Sequence, residues 1–394
     1  MRLDHAARLE DLLARRPEFV LGHGPQGQSA LHKRDEVLVS ARHADDAADA
    51  ASRWMAGRED HPELGVTRIV LRERAKVNVA ELVAQLRSVN TEQSNGPLAV
   101  GANHVLRGEG PEYEGGPFDS PVPHGPVNPP AAASAAGQNP VTVAVLDTGI
   151  VEHPWFTGTA WWSGVQDEDF DVVPEQPDFE LQHQTGHGTF VAGAVLRRAP
   201  QAQLLIERVL SDDGVCDELH LLRGLANVHR KGSAGGGVDV VNLSLGCYTL
   251  DDQPSPLLAE ALARFGNRTV IVAAAGNHDS SRPFWPAALK PVIAVGALNV
   301  TGRHRAQFSN YGWWVDACAV GEDVAGPFLS YRTAEDQNFT GYASWSGTSF
   351  AAPQLAGAVA EIAFSKQLSV RDAAELLLDP ATTQRRSDLG VVVE

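Results

Sequence analysis

The sequence predicts an α/β protein: a parallel sheet between helical layers, preceded by a smaller α+β module. Three observations carry this. Apolar, β-branched runs recur at 141–146, 204–210, 238–245, 269–275 and 292–298 without polar alternation, as in strands buried on both faces. Helix-length segments lie between them, and right-handed crossovers would place those helices on both faces of one sheet. A shorter alternation of strands and helices, complete in about 70 residues, precedes this region and suggests the α+β module.

Taken in order, residues 1–30 read as a short polar helix followed by a Gly-rich stretch from Leu21 to Gly27. Strands follow at 36–40 (EVLVS), 66–71 (VTRIVL) and 98–106, with helices at 44–55 and 79–89, giving an N-terminal module over 1–106. Residues 107–140 are dominated by Pro and Gly and show no hydrophobic period, so they read as a linker or extended arm. In the third part, 141–380, helices are expected at 188–197, 218–229, 257–265, 350–364 and 370–378. The segment 381–394 reads as a tail or as a last strand.

With 394 residues, the chain has room for two or three domains and a buried core. At 43% apolar and 21% charged it has globular composition, which excludes a collagenous, coiled-coil or wholly disordered chain. A net charge of −17 argues against nucleic acid and anionic membranes as partners. Cys216, Cys247 and Cys318 cannot build a disulfide framework, and no CxxC or His/Cys cluster marks a metal site. No apolar stretch approaches the roughly 18 residues of a membrane span. The first residues lack an apolar run before a small-residue cleavage site, so no secretory signal is recognised. A cytoplasmic location is the expectation, with non-classical export left open.

Three motifs can carry chemistry. In VAVLDTG, Asp147 ends a buried strand, where open α/β sheets place catalytic groups; alone, a turn residue beside Gly149 is the commoner reading. In HQTGHGTFVAG, His187 lies between glycines that let other backbone approach the imidazole, though a turn histidine would look the same. His183 reads as a loop residue. In SGTSFAAP, Ser349 opens a long apolar helix, as a cap or as a nucleophile at the helix's positive end. Ala351 stands where GxSxG needs its last glycine, which argues against an α/β-hydrolase elbow. In combination the three gain weight. A serine nucleophile needs a base, histidine serves near neutral pH, and a buried carboxylate orients the imidazole. Asn277, ending VIVAAAGN, can donate to an oxyanion together with the Ser349 N–H, although Asn after Gly is also common in turns.

Over roughly 140–380 the sequence resembles the subtilisin-like serine peptidases, or subtilases. VAVLDTGI, GHGTFVAG, VNLSLG, VAAAGN and SGTSFAAP occur in the family's order. The resemblance implies a three-layer, subtilisin-like catalytic domain and a serine endopeptidase that requires no cofactor. It implies Asp147, His187 and Ser349 as the triad and Asn277 as the oxyanion-hole side chain. Ser244, Leu245 and Gly246 would pair with an extended substrate, while Ala274, Ala275 and Gly276 would line the S1 pocket. The short loop 278–284, which in the family helps shape that pocket, holds Arg282 and Phe284, and no preference is assigned from it. Cys247 reads as a small buried apolar residue. The N-terminal module resembles the family's prodomain in pattern only; a separate regulatory or targeting module is the alternative. As a prodomain it would block the cleft, with the 107–140 arm as the place of cleavage.

Charge is uneven. Residues 1–139 hold 15 basic and 19 acidic side chains, 140–394 hold 17 and 30, and 151–220 alone hold 3 and 13. The densest run is Asp167, Glu168, Asp169 and Asp171, with Glu175, Asp178 and Glu180. A solvated loop is the plain reading and a preference for basic substrate residues the second. Structural calcium, which takes six to eight oxygen ligands, is the third, with no ligand set assigned. Trp155, Trp161 and Trp162 read as packing residues. The expected partner is a peptide or protein substrate, cleaved by an intracellular processing or regulated protease held in check by its N-terminal module; an activating partner belongs to one version of this reading. An aspartic peptidase built on Asp147 would need a second DTG or DSG, which the sequence lacks. A catalytically silent peptide-binding protein of the same fold is the alternative, separated by activity-probe labelling.

Overall fold

The structure, a computed structural model, describes residues 5–73, 77–89, 97–108, 120–131, 139–173, 182–333 and 337–394. Two compact units emerge. One holds Met1–Leu106, Cys216–Ala226 and Cys247–Arg264; the other holds Arg107–Val215, Asn227–Gly246 and Phe265–Glu394.

In the first unit, α1 (His5–Arg15) leads into β1 (Phe19–His23) and β2 (Ser29–Ser40). The Gly-rich stretch from Leu21 to Gly27 supplies the end of β1 and the turn into β2. Gly24 N–H donates to the Gln28 carbonyl at 2.7 Å, and Gly27 takes a φ of 88° that favours glycine. Next come α2 (Ala44–Ala51), β3 (Met55–His61), β4 (Val66–Leu71), α3 (Val79–Arg87) and β5 (Val100–Arg107). The helix expected over 44–55 stops at Ala51; residues 52–54 turn the chain and Met55 opens β3, a charged edge strand (MAGREDH) without apolar alternation. The strands order β3-β4-β2-β5, with β1 also on β2, and all these pairs are antiparallel. Asn78 caps α3 by accepting from the Ala80 N–H at 2.9 Å. Val37, Val39, Ile69, Leu82 and Val100 form the core.

This unit is discontinuous in sequence. Asn103 Oδ1 accepts from the Leu219 N–H at 3.2 Å, Ser255 Oγ donates to the Glu218 carboxylate, and Arg87 pairs with Asp251. Arg264 donates to the Leu64 carbonyl at 2.6 Å. A division drawn from composition along the chain does not reveal such joins.

Beyond β5 the elements are β6 (Val122–Pro123), β7 (Thr142–Asp147), α4 (His187–Arg198), β8 (Gln203–Arg208), β9 (Val215–Asp217), α5 (Glu218–Gly235), β10 (Val240–Leu243) and α6 (Pro256–Ala263). They continue with β11 (Val270–Ala274), β12 (Val292–Leu298), β13 (Ala317–Val320), β14 (Val324–Arg332), β15 (Asn338–Trp345), α7 (Thr348–Lys366), α8 (Val370–Leu377), β16 (Arg385–Arg386) and β17 (Gly390–Val392). In the second unit, the main sheet orders β16-β17-β13-β12-β11-β10-β7-β8 and is parallel from β17 to β8. The α/β class read from the sequence holds. Its β10 and β11 are buried throughout, and α4 and α7 cover the sheet through Phe190, Val191, Phe350 and Leu355.

Residues 381–394, read as a tail or as a last strand, supply β16 and β17, and β17 extends the sheet beside β13 with Val391 opposite Ala317. Two features differ from the sequence reading. Part of the 107–140 arm is a strand, β6, paired antiparallel with β15. The β14–β15 pair was not expected, since Gly326, Pro327 and Gly341 interrupt its apolar pattern. The remainder of the arm at 109–119 and 132–138 lies outside the described residues, as do Glu175, Asp178 and Glu180.

Candidate active site

Asp147 ends β7, which is held in register between β8 and β10, so its side chain emerges at the carboxyl end of the sheet. Its Oδ1 accepts from the Thr148 N–H at 2.8 Å and meets His187 Nδ1 at 2.7 Å. Asp147 and His187 are both buried. His187 is the first residue of α4. The glycines around it have separate steric reasons. A Cβ on Gly188 would stand 2.1 Å from the Gly149 carbonyl oxygen, and one on Gly186, whose φ is 86°, would stand 2.5 Å from Phe328. Without a side chain at Gly188 the His loop can sit against the Asp loop, and without one at Gly186 it can sit against Phe328 of β14. The imidazole lies edge-on to Trp345, with ring centroids 5.4 Å apart.

One residue of this arrangement was read from the sequence only as part of an acidic run. Asp171 Oδ2 accepts from the Thr148 hydroxyl at 2.9 Å and from the Gly186 N–H at 2.7 Å. The same hydroxyl accepts from the Gly188 N–H at 3.1 Å. Asp171 therefore ties the residue after Asp147 to the residues on either side of His187. Burial pushes its carboxyl up to about 6, against the opposing pull of the two hydrogen bonds, and nearby Asp147 adds to the rise. Nothing in its local sequence separates it from Asp167 or Glu168.

Ser349 is the second residue of α7, and Pro353 lies inside that helix. Proline has no N–H, so the Ser349 carbonyl lacks its usual helical donor. Ser244 Oγ supplies one at 2.8 Å, and is itself held by Asn242 Nδ2 at 3.0 Å. The helix start is thereby tied to the segment that leaves β10. Ser349 Oγ donates to the Gly108 carbonyl at 2.7 Å and lies 3.3 Å from the Ser244 carbonyl. Asn277 Oδ1 accepts from both the N–H and the hydroxyl of Thr348, each at 2.8 Å. An amide whose oxygen is taken twice has its NH2 left to offer, which is the donor an oxyanion needs. Gly276, at a φ of 98°, donates to Thr348 Oγ1 at 3.0 Å, and the Ala275 carbonyl accepts from Asn310 Nδ2 at 2.8 Å. Ala274 closes β11, and Leu245 is buried.

Gly246 and Arg107 exchange both backbone hydrogen bonds at 2.9 Å, an antiparallel bridge. The Gly108 N–H donates to the Gly214 carbonyl at 2.9 Å. Arg107 and Gly108 thus run between two backbone walls and bring a peptide carbonyl to the Ser349 hydroxyl. The structure joins Asp147 to His187 directly and gathers Ser244, Gly276, Asn277 and Ser349 through hydrogen bonds centred on Thr348 and on the start of α7, while Gly246 is paired with Arg107.

The subtilase family model matches residues 138–391. The chain belongs to the subtilase family. Among similar proteins, a thermophilic serine proteinase of Bacillus sp. (strain AK1) is 33% identical over 257 residues, covering 62% of this chain and 57% of that protein. Subtilisin BL of Lederbergia lenta is 36% identical over 230 residues, covering 56% of this chain and 75% of the relative. Subtilisin-like protease 2 of Pseudogymnoascus destructans is 33% identical over 234 residues, covering 58% and 52%. The chain therefore spans from about half to three quarters of the length of these relatives. A solved lanthipeptide protease shares the fold at a TM-score of 0.51 and 24% identity, with 64% of this chain and 85% of that one covered.

Other candidate chemistry in this subtilase is otherwise engaged. Among the described residues no three His, Cys, Asp or Glu side chains converge as metal ligands. Asp169 carries the Lys231 ammonium at 3.1 Å, and the same ammonium meets Glu207 at 2.9 Å. Burial works against the charge on Lys231, but Glu207 and Asp169 outweigh it and raise its pKa. The cysteines are buried, and burial pushes the Cys318 thiol up to about 12 and that of Cys216 well above its ordinary value. His183 is exposed in the turn before α4, while Trp155 and Trp161 belong to the core and Trp162 packs against it. No helix among the described residues is long and apolar enough to cross a membrane.

Proposed function

We propose that this subtilase is a serine endopeptidase whose substrates bind as extended peptides. Ser349 attacks the scissile carbonyl. His187 takes its proton and passes it to the leaving amine, and Asp147 holds the imidazole in the tautomer that leaves Nε2 to act. The Asn277 NH2 and the Ser349 N–H stabilise the oxyanion, after which water hydrolyses the acyl-enzyme by the same relay. The observation that carries this reading is the buried 2.7 Å pair of Asp147 and His187 in the same cleft as a Ser349 hydroxyl engaged with a peptide carbonyl. Ser349→Ala should abolish peptide hydrolysis and fluorophosphonate labelling while circular dichroism stays unchanged. Undiminished turnover in that variant would sink the assignment, and a folded wild type that never labels would favour the silent peptide binder.

The reading extends to self-restraint. Arg107 and Gly108 hold the backbone positions that an extended substrate would need along Gly246 and Gly214. A tethered segment there competes at the millimolar effective concentrations of a short linkage. Its removal, or its cleavage within the arm that follows, would release activity. Arg107→Pro deletes the N–H given to Gly246. In the full-length chain it should raise the initial rate on a peptide substrate several-fold, whereas equal rates in the two proteins would speak against restraint in cis.

A further inference from the structure

We infer that the ring of Phe284 restricts this subtilase to peptides with a small residue on the acyl side of the scissile bond. The inference rests on the endopeptidase reading and sharpens it to a substrate class.

β10 and β11 are neighbouring parallel strands, with Leu243 opposite Ala273. The segments leaving their carboxyl ends are 244–246, which pairs with Arg107, and 275–277, which carries Asn277. The crevice between such ends is where an open α/β sheet receives a ligand. In this chain an aromatic ring stands in it. A Cβ built on Gly246 falls 2.3 Å from Phe284 Cε1 and 2.7 Å from Cδ1. A Cβ built on Gly276, on the facing segment, falls 3.0 Å from the same Cδ1 and 3.1 Å from Cγ. One ring is therefore packed against the backbone of both walls, and both walls are glycine where it touches them.

The ring is not placed to swing away. Phe284 is 5% exposed, and its ring packs on His278 with centroids 5.5 Å apart. Its carbonyl accepts from the Ala288 N–H at 2.8 Å, which anchors the backbone.

The antiparallel register shows which substrate residue meets it. Arg107 faces Gly246, so a bound peptide running on by two residues faces Ser244. The Ser244 carbonyl is 3.3 Å from Ser349 Oγ, so that residue lies beside the nucleophile, and its side chain shares with that of Arg107 the face of the ladder on which the ring packs against Gly246. With the ring in place, the space suits Gly, Ala or Ser, and a Leu, Phe or Tyr side chain meets the ring. The preceding position is confined as well. A Cβ on Gly108 would lie 3.0 Å from Leu210 Cδ1, 3.4 Å from Gln184 Oε1 and 3.6 Å from His187 Cε1. The cleft thus selects chains that are slender at two consecutive residues.

The test is cleavage profiling of a peptide library by the full-length chain, incubated to constant activity and with active sites counted by fluorophosphonate labelling. Wild type should favour Ala over Leu or Phe at the acyl position by roughly a hundredfold in kcat/KM, the scale on which a pocket excludes extra methylenes. Phe284→Ala should raise turnover of Leu and Phe peptides at least tenfold and leave Ala peptides little changed. Phe284→Leu, which keeps an apolar side chain at the site, should fall between, and it carries the test if the Ala variant does not fold. A wild type that labels and cleaves but prefers large or basic residues overturns the inference. So do folded variants with an unchanged ranking. A wild type that neither labels nor cleaves overturns the endopeptidase reading instead.

Discussion

Replacing Asp171 by Asn should make this subtilase more stable at pH 8, although it removes a carboxylate that binds both the Asp147 loop and the His187 loop. The carboxyl is raised from 3.8 to about 6, chiefly by burial. Its ionised form is thus disfavoured in the fold relative to the unfolded chain. The native state holds a proton between pH 4 and 6 that the unfolded chain has released, so this group's contribution is full below pH 4 and is lost by pH 6. A carboxyl raised from 3.8 to about 6 corresponds to about 3 kcal/mol. Asparagine carries no charge and keeps an oxygen to accept from the Gly186 N–H and the Thr148 hydroxyl. Urea unfolding of both proteins, on a Ser349→Ala background to prevent self-digestion, should show the Asn variant ahead by up to about 3 kcal/mol at pH 8 and level near pH 4. Asp171→Ala separates charge from hydrogen bonding. It leaves the Gly186 N–H without its acceptor, and should lose about 1–3 kcal/mol relative to the Asn variant at every pH. An Asn variant less stable than wild type at pH 8, or one with the same pH dependence, would refute the reasoning.

Asn277→Ala should lower kcat by about 10² to 10³ with little change in KM, as expected for a donor used in the transition state, and stopped-flow or steady-state hydrolysis of one peptide suffices to check it. Lys231→Met leaves Asp169 and Glu207 buried without their shared cation and should cost about 3 kcal/mol, read by chemical denaturation at pH 7.

The sequence is most legible where a residue type leaves few physical options. Runs such as VAVLD and VIVAA are too apolar for any position but a strand covered on both faces, and they became β7 and β11. The glycines beside His187 are equally readable, since each leaves room for a specific neighbour. Legibility fails where a role depends on long-range partners. Asp171 and Asp169 look alike in the chain, yet one binds the Thr148 hydroxyl and the other an ammonium 62 residues away. Phe284 is an ordinary loop aromatic until Gly246 and Gly276 close on it. β3 and β15 were missed because an edge strand rich in charge and a strand interrupted by glycine lack the alternation that marks a half-buried strand.

The parallel sheet also sets how this chain is made and lost. Val143 of β7 pairs with Val240 of β10, so the centre of the sheet joins strands about a hundred residues apart, whereas β1–β2 and β3–β4 are hairpins closed within a few residues. Long closures must be completed before their contacts repay them, so the hairpins assemble early and the parallel sheet slowly. Contacts that form late, after the transition state, are the ones that slow unfolding. Endurance of the sheet is then governed by a rate more than by an equilibrium, and on the endopeptidase reading, under which an opened copy becomes a substrate for its neighbours, that is the relevant measure of survival.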